Sequence, residues 1–262
     1  MQKLFSIITI NWNDAKGLRK TIESVVAQDR NLYEFIIVDG ASTDKSVDVI
    51  RHYEDSIDWW CSEPDGGIYD AQNKGTRQAN GKYLLFLNSG DSLYDAHVLE
   101  KVATILTAPD TPDILNGWSI MEDSGLPAFP HQKSAALQLI WNGIGHQATF
   151  IRRELQEARP YEERFRICAD KNFFLQTVIG DGKTLRFTDL RINKQAPWGT
   201  CSNREKLLEE LGIMVEETWQ RISWRRFPLA TSFLALTRLL PKHLRAVFVL
   251  KCGGTFQKVL KT

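Results

Sequence analysis

The chain reads as an α/β protein: a mostly parallel central sheet with helices on both faces, followed by a helical C-terminal extension. Three observations lead there. Strand-like and helix-like stretches alternate through the first hundred residues, at the spacing of parallel strands joined by helical crossovers. The strand-like stretches FIIV and YLLFL are continuous apolar runs, as expected of strands buried on both faces. The charge is also divided unevenly. Thr218 to Thr262 holds five Arg, four Lys and no acid, within a chain whose net charge is only +1.

The elements follow in order. LFSIITI reads as the first strand, and Asp14 to Gln28 as a helix capped by Asp14, with Leu18, Ile22, Val25 and Val26 as its apolar stripe. FIIV is the second strand. A helix from Thr43 to Tyr53 is expected to use Ser42 or Thr43 as its cap, and a short third strand covers Asp58 to Cys61. The turn PDGG then leads into a helix over Ile68 to Ala79, and the turn Asn80-Gly81 into a fourth strand, KYLLFLN. Beyond Pro112 the rhythm is looser. An extended ILNGWSIM, a helix near Ala135 to Trp141, a strand near Gln147 to Ile151, a helix from Cys168 to Val178 and a strand TLRFTDL are predicted.

Length and composition narrow the class. At 262 residues, one large domain with a smaller appendage is expected, divided as 1–200 and 201–262. Cys61, Cys168, Cys201 and Cys252 show no CxxC pair or zinc spacing, which argues against a disulfide framework and for a reducing, cytoplasmic setting. The run Leu4 to Ile10 is too short to span a membrane, and Pro228 to Thr237 is broken by Arg238.

In parallel α/β sheets, ligands bind beyond the carboxyl ends of the strands. Three such ends are polar here: Asn11-Trp12-Asn13, Asp39-Gly40, and Asn88-Ser89-Gly90-Asp91. No GxGxxG or GxxxxGK[ST] follows any of them, so a glycine-rich phosphate cradle is not expected. Asp91, among small neighbours, suits a hard cation such as Mn²⁺ or Mg²⁺, which takes one or two protein oxygens and the rest from phosphate and water. The competing reading makes Asp91 a cap for the following helix. Asp39, likewise, is either a ligand contact or a turn residue of DGASTD.

SIITINWN, FIIVDGASTD, SEPDGGIYDAQNKG, NGKYLLFLNSGD, GHQATFIRREL and ICADKNFFL together resemble, in order and spacing, the motifs of glycosyltransferase family 2. These are inverting nucleotide-sugar transferases of the GT-A fold, and the likeness is strongest to bacterial exopolysaccharide enzymes of the colanic acid type. It covers about residues 4 to 195. The resemblance implies that Asn11 and Trp12 lie at the nucleotide, that Asp39 accepts a hydrogen bond from the base, and that Asp65 and Asn88 lie on the donor side. It further implies that Asp91 holds the divalent metal and Asp170 is the catalytic base. The sequence departs from the family at Asn88 and Gly90, where many members have Asp, at Gly40 in place of a second acid, and at Ala169 before Asp170.

One carboxylate base and one metal-binding acid are what transfer from a nucleoside diphosphate requires. The acceptor hydroxyl must lose a proton, while a cation can stabilise the departing diphosphate without a general acid. Read without the resemblance, Asp170 is more readily an acid favoured by a helix N-terminus, and the resemblance reverses that preference. His146 is a candidate for positioning acceptor or diphosphate, or a structural histidine. Lys74 is a phosphate contact or a solvated helix lysine. Trp118, Trp141 and Trp198 are possible sugar platforms, whereas Trp59 and Trp60 suit the core.

In the tail, Leu229, Phe233, Leu236 and Leu240 recur at helical spacing among Arg and Lys. This predicts either a basic amphipathic segment lying on an anionic membrane surface or a helical pair packed on the catalytic domain. Nucleic acid is not expected. With the resemblance, the expected partners are a nucleotide-sugar donor and a polyprenyl-diphosphate-linked or oligosaccharide acceptor, at the cytoplasmic face of the inner membrane. The alternative function is a catalytically silent nucleotide-sugar-binding or scaffold protein of a polysaccharide assembly complex.

Overall fold

The computed structural model describes residues 2–128, 138–139, 143–196 and 204–221. The chain divides into two compact units. The first comprises Met1–Phe129, Gly145–Arg166 and Thr184–Pro197; the second comprises Pro130–Ile144, Ile167–Lys183 and Trp198–Thr262.

The first unit is built on an eight-stranded sheet. In chain order its elements are β1 (Phe5–Asn11), α1 (Ala15–Val26), β2 (Tyr33–Asp39), α2 (Ser46–His52), β3 (Trp59–Ser62), α3 (Ile68–Gln78), β4 (Tyr83–Phe86), β5 (Ser92–Leu93), α4 (Val98–Leu106), β6 (Ile114–Met121), β7 (Thr149–Arg152), α5 (Arg153–Ala158) and β8 (Leu185–Gln195). The strand order is β3-β2-β1-β4-β7-β6-β8-β5. The four leading strands are mutually parallel, β7 runs antiparallel to both neighbours, β6 and β8 are parallel, and β5 is an antiparallel edge.

The two faces of this sheet follow from strand alternation. Phe5, Ile7, Phe35, Ile37, Tyr83 and Leu85 face α1, α2 and α4 in one large apolar core. Ile10 and Val38 face the opposite way, toward Ala71 of α3, with Trp59 and Cys61 packed against them. Trp60 packs on the large core, so the two tryptophans, each partly buried, lie against the two cores. On α3, Gly75 brings the helix axis close to the sheet. A Cβ there would stand 2.4 Å from Cγ2 of Ile8.

Short polar side chains meet the starts of the first two helices. Asp14 caps α1, its Oδ1 accepting the Gly17 N–H at 2.9 Å. At α2 neither Ser42 nor Thr43 is the cap. The cap position is Lys45, which makes no side-chain capping bond; Asp44 accepts the Ser46 N–H at 2.9 Å, and the Ser42 hydroxyl donates to Asp39 at 2.6 Å. In α1, Leu18, Ile22 and Val25 are buried as a stripe, but Val26, one step beyond it, is 38% exposed. Among the described residues, α5 and β5 have no counterpart in the sequence reading, α4 enters it only as the helix following Asp91, and β8 runs to Gln195, well past TLRFTDL. Its pairing with β6 shifts register on either side of Gly117–Trp118. A Cβ on Gly117 would meet the Leu190 carbonyl at 2.7 Å, so a residue with no side chain permits the step.

In the second unit, α6 (Ala169–Phe174) continues into a π-helical turn over Leu175–Gly180, where one longer helix was predicted. The helix α7 (Arg204–Arg221) packs against that turn through a stripe including Leu211 and Met214. Of the helix expected near Ala135 to Trp141, only residues 138 and 139 are described, and the basic tail beyond 221, Trp141 and Trp198 lie outside the described residues.

Candidate active site

The carboxyl ends of β1, β2 and β3 are joined through one carboxylate. Asp39 is 0% exposed and accepts four hydrogen bonds: from Asn11 Nδ2 at 2.7 Å, the Ser42 hydroxyl at 2.6 Å, the Ser42 N–H at 2.9 Å and the Ser62 hydroxyl at 2.6 Å. These four bonds use the acceptor positions of the carboxylate, so the turn alternative for Asp39 is the one they realise. It closes its own turn through the Ser42 amide, and it stands at the ligand edge of the sheet. Asn11 and Asp39 are register partners, as are Asp39 and Ser62.

Next to this network the chain is strained and open. Ala41 adopts φ 56°, a left-handed conformation costly for a residue with a Cβ. Trp12 is 73% exposed at the end of β1. A side chain on Gly40 would have its Cβ 2.7 Å from Asp65 Oδ2 and 3.4 Å from Trp12 Cδ1, so Trp12, Gly40 and Asp65 converge. A side chain at position 40 would require the Asp65 carboxylate to shift. Asp65 itself holds its loop closed, its Oδ1 accepting the Gly67 N–H at 2.8 Å.

At the end of β4, Asn88-Ser89-Gly90-Asp91 forms a turn in which the Asp91 N–H donates to the Asn88 carbonyl at 3.1 Å. Gly90 takes the third position with φ 92°, the conformation such a turn reserves for glycine. An acid at 90 would be strained there. From α1, the Thr21 hydroxyl donates to the Asp91 carbonyl at 2.6 Å, and Lys20 Nζ reaches the Gly90 carbonyl at 2.9 Å.

The side chain of Asp91 corrects the sequence picture of an unprotected acid. It is 5% exposed, and one of its carboxylate oxygens accepts the Ala196 N–H at 2.9 Å. It caps no helix, because β5 follows directly and α4 begins at Val98 with His97 in the cap position. Burial pushes the Asp91 carboxyl up to about 6, while the Ala196 amide, His146 and Lys20 pull it partway back.

His146 and Asn88 are brought together. His146 is buried at the approach to β7, and its Nε2 lies 3.2 Å from Asn88 Nδ2 and 3.5 Å from Gln72 Nε2. Both neighbours are amide donors, so Nε2 is the acceptor in this arrangement. Lys74, by contrast, is committed to Glu63 at 2.7 Å, and that carboxylate raises its pKa. In the second unit, Asp170 lies in the first turn of α6, and its Oδ1 accepts the Lys171 N–H at 2.8 Å.

Sequence reasoning missed Thr21, Gln72, Ser62 and Ala196 as members of these networks. Thr21 had a signal, a hydroxyl on the buried stripe of α1. Ala196 had none, since it contributes a backbone amide from 105 residues away.

Four parallel leading strands with a polar carboxyl edge place this unit among the doubly wound α/β folds that bind ligands at that edge. The chain belongs to glycosyltransferase family 2: the family model "Glycosyl transferase family 2" matches residues 6–173. A PGL/p-HBAD biosynthesis glycosyltransferase of Mycobacterium bovis is 31% identical over 207 residues, covering 76% of this chain and 79% of the relative. A putative teichuronic acid biosynthesis glycosyltransferase, TuaG of Bacillus subtilis, is 32% identical over 127 residues, 47% of this chain and 50% of its own. Among solved structures, S. aureus TarS superposes with TM-score 0.70 at 17% identity, covering 93% of this chain and 44% of that one. A mannosyltransferase from Pyrobaculum calidifontis, in complex with GDP-Man and Mn²⁺, gives TM-score 0.67 at 16% identity, covering 97% and 76%. The protein is a glycosyltransferase of GT-A fold. Among the described residues, no helix is long and apolar enough to cross a membrane, and no group of three or more His, Cys, Asp or Glu is arranged to hold a metal ion.

Proposed function

We propose that this glycosyltransferase moves a sugar from a nucleotide-sugar donor, with inversion, to a lipid-linked or oligosaccharide acceptor in surface polysaccharide synthesis. The observation that carries the reading is the buried Asp91 carboxyl at the end of β4, pushed up to about 6 by desolvation. A carboxylate so placed gains most from a cation that arrives with the ligand. Its neighbours Asn88 and Gly90 add no charge, so a single acid fits a Mn²⁺ or Mg²⁺ ion whose remaining ligands are donor phosphate and water. The Mn²⁺ held by the Pyrobaculum neighbour is consistent with this.

In this reading Trp12 lies along the base and ribose, and the Asn11–Asp39–Ser62 network presents the edge that selects the base. Asp65 and Asn88 flank the donor sugar. His146, kept in one orientation by Asn88 and Gln72, lines the diphosphate or acceptor. Asp170 takes the proton from the acceptor hydroxyl as the sugar–phosphate bond breaks, and the proton leaves on its carboxylate. A metal at Asp91 supplies charge stabilisation to the departing diphosphate. Lys74 has no part in this account, since Glu63 already neutralises it.

Residues 1–200 carry the side chains that meet donor and acceptor, and the basic segment of 201–262 attaches the enzyme to an anionic membrane at the cytoplasmic face. The relative named for teichuronic acid biosynthesis supports a surface-glycan role and is compatible with the exopolysaccharide type. A panel of nucleotide sugars, assayed for binding and slow donor hydrolysis with and without Mn²⁺, tests the reading. Turnover lost in Asp91→Ala and in Asp170→Asn, with donor binding retained in the latter, is expected. Equal turnover in wild type and Asp170→Asn removes Asp170 from the mechanism. Truncation after Thr218 is expected to abolish binding to anionic vesicles at low salt, and unchanged binding refutes the attachment.

A further inference from the structure

Within the second unit, one acid occupies a place where acids are costly. Glu210 of α7 is 1% exposed and lies in the same buried stripe as Leu211 and Met214, each also 1% exposed. A carboxylate survives such burial only when strong donors face it. Two do: its Oε2 accepts the backbone N–H of Ile167 at 2.9 Å and of Cys168 at 3.0 Å. Cys168 is the cap position of α6, and its own side chain makes no capping hydrogen bond. The first amides of a helix have no intrahelical acceptor, and negative charge near them is favoured. Glu210 therefore accepts from another helix the N-cap amide that an acid at the third helical position ordinarily takes, together with the amide before it.

The position matters because Asp170 follows Cys168 by two residues. We propose that Glu210 is a positioning residue for the reaction: by gripping the two amides that precede α6, it fixes the direction in which Asp170 leaves the backbone. This rests on the reading of Asp170 as the base. The grip is reinforced from the other end, since α7 also packs on the π-helical turn into which α6 runs. The helix beyond residue 200 is thus part of the catalytic apparatus, and removing it is a different operation from removing the basic tail.

The test compares Glu210→Gln, Glu210→Ala, Glu210→Met and Asp170→Asn in the full chain, using the nucleotide sugar that the panel selects. The measurements are kcat, donor KM, melting temperature and hydrogen exchange at the amides of 167 and 168. Gln keeps an acceptor oxygen and is expected to hold kcat within about threefold. Ala and Met are expected to lower kcat by about 30-fold, inside the roughly hundredfold that an ångström of misplacement costs. Donor KM should stay within about twofold, and exchange at 167 and 168 should accelerate.

Should Glu210→Ala fail to fold, Glu210→Met, which preserves the volume of the stem, decides the matter. Wild-type kcat in Glu210→Met overturns the proposal, as does a fall in kcat matched by loss of donor affinity. A Glu210→Gln protein as slow as Glu210→Ala also overturns it. Full turnover in Asp170→Asn would instead refute the base assignment itself, so the two failures are distinguishable.

Discussion

Replacing Asp91 by Asn should make the protein more stable at neutral pH, although the residue is proposed to be essential for turnover. The carboxyl rises from 3.8 to about 6 on folding. A shift of about 2 units corresponds to about 3 kcal/mol between the protonated and ionised forms. The sign follows from proton binding. A folded-state pKa above the unfolded value means the native protein holds its proton more tightly. The associated stability is complete below about pH 4 and is lost as pH rises through about 6. At pH 7.5 the ionised native state therefore carries the full penalty. Asn removes the titration and keeps an oxygen for the Ala196 N–H, but adds a buried N–H₂ whose desolvation takes back about 1 to 2 kcal/mol.

The net gain expected at pH 7.5 is about 1 to 2 kcal/mol, a rise in melting temperature of about 2 to 6 °C. At pH 4 the advantage should have reversed or vanished, because most of the carboxyl's penalty is absent there. Urea unfolding of both proteins at pH 4, 5.5 and 7.5, without metal, gives the curve directly. A stability difference that is the same at all three pH values refutes the buried-acid account. So does a variant less stable than wild type at pH 7.5. Added Mn²⁺ should stabilise wild type and leave Asp91→Asn unchanged.

Three further outcomes follow from the geometry. Gly75→Ala would place a Cβ 2.4 Å from Ile8 Cγ2 and should cost about 1 to 3 kcal/mol, read by denaturant unfolding; a neutral result would mean that α3 rides higher on the sheet. Ala41→Gly should raise stability by about 1 kcal/mol, because φ 56° is strained only for a residue with a Cβ. Trp12→Ala should leave the melting temperature within 1 to 2 °C, as expected of a side chain 73% exposed, while weakening nucleotide-sugar affinity about tenfold by titration; an unchanged affinity removes Trp12 from the donor site.

The legible parts of this fold were those whose physics is local. β1, β2 and β4 are apolar runs bounded by polar ends, and α1 and α3 carry a cap or a glycine turn at their starts, so composition and period were enough. β5 has two residues and no period at all, and it exists because β8 passes alongside it. The length of β8 was hidden for a related reason: its alternation is broken where Gly117 lets the partner strand change register. The ligand edge was legible too, since strand ends are where polar residues interrupt apolar runs. What could not be read was that Asp91 is enclosed. Its cover comes from Ala196 and from α1, and neither the sequence around residue 91 nor any periodicity records their arrival.

The two acids at the ends of β2 and β4 differ in kind. Asp39 meets four donors before any ligand arrives, so it acts as a rigid template: three strand ends are already fixed relative to one another, and little ordering entropy is left for a nucleotide to supply. Asp91 is left with an electrostatic demand that its own protein meets only in part. A molecule arranged this way separates recognition from driving force. On the proposed reading, the carboxyl edge of the sheet discriminates by shape at β2 without rearranging, and at β4, on the other side of β1, it rewards whatever brings positive charge with it.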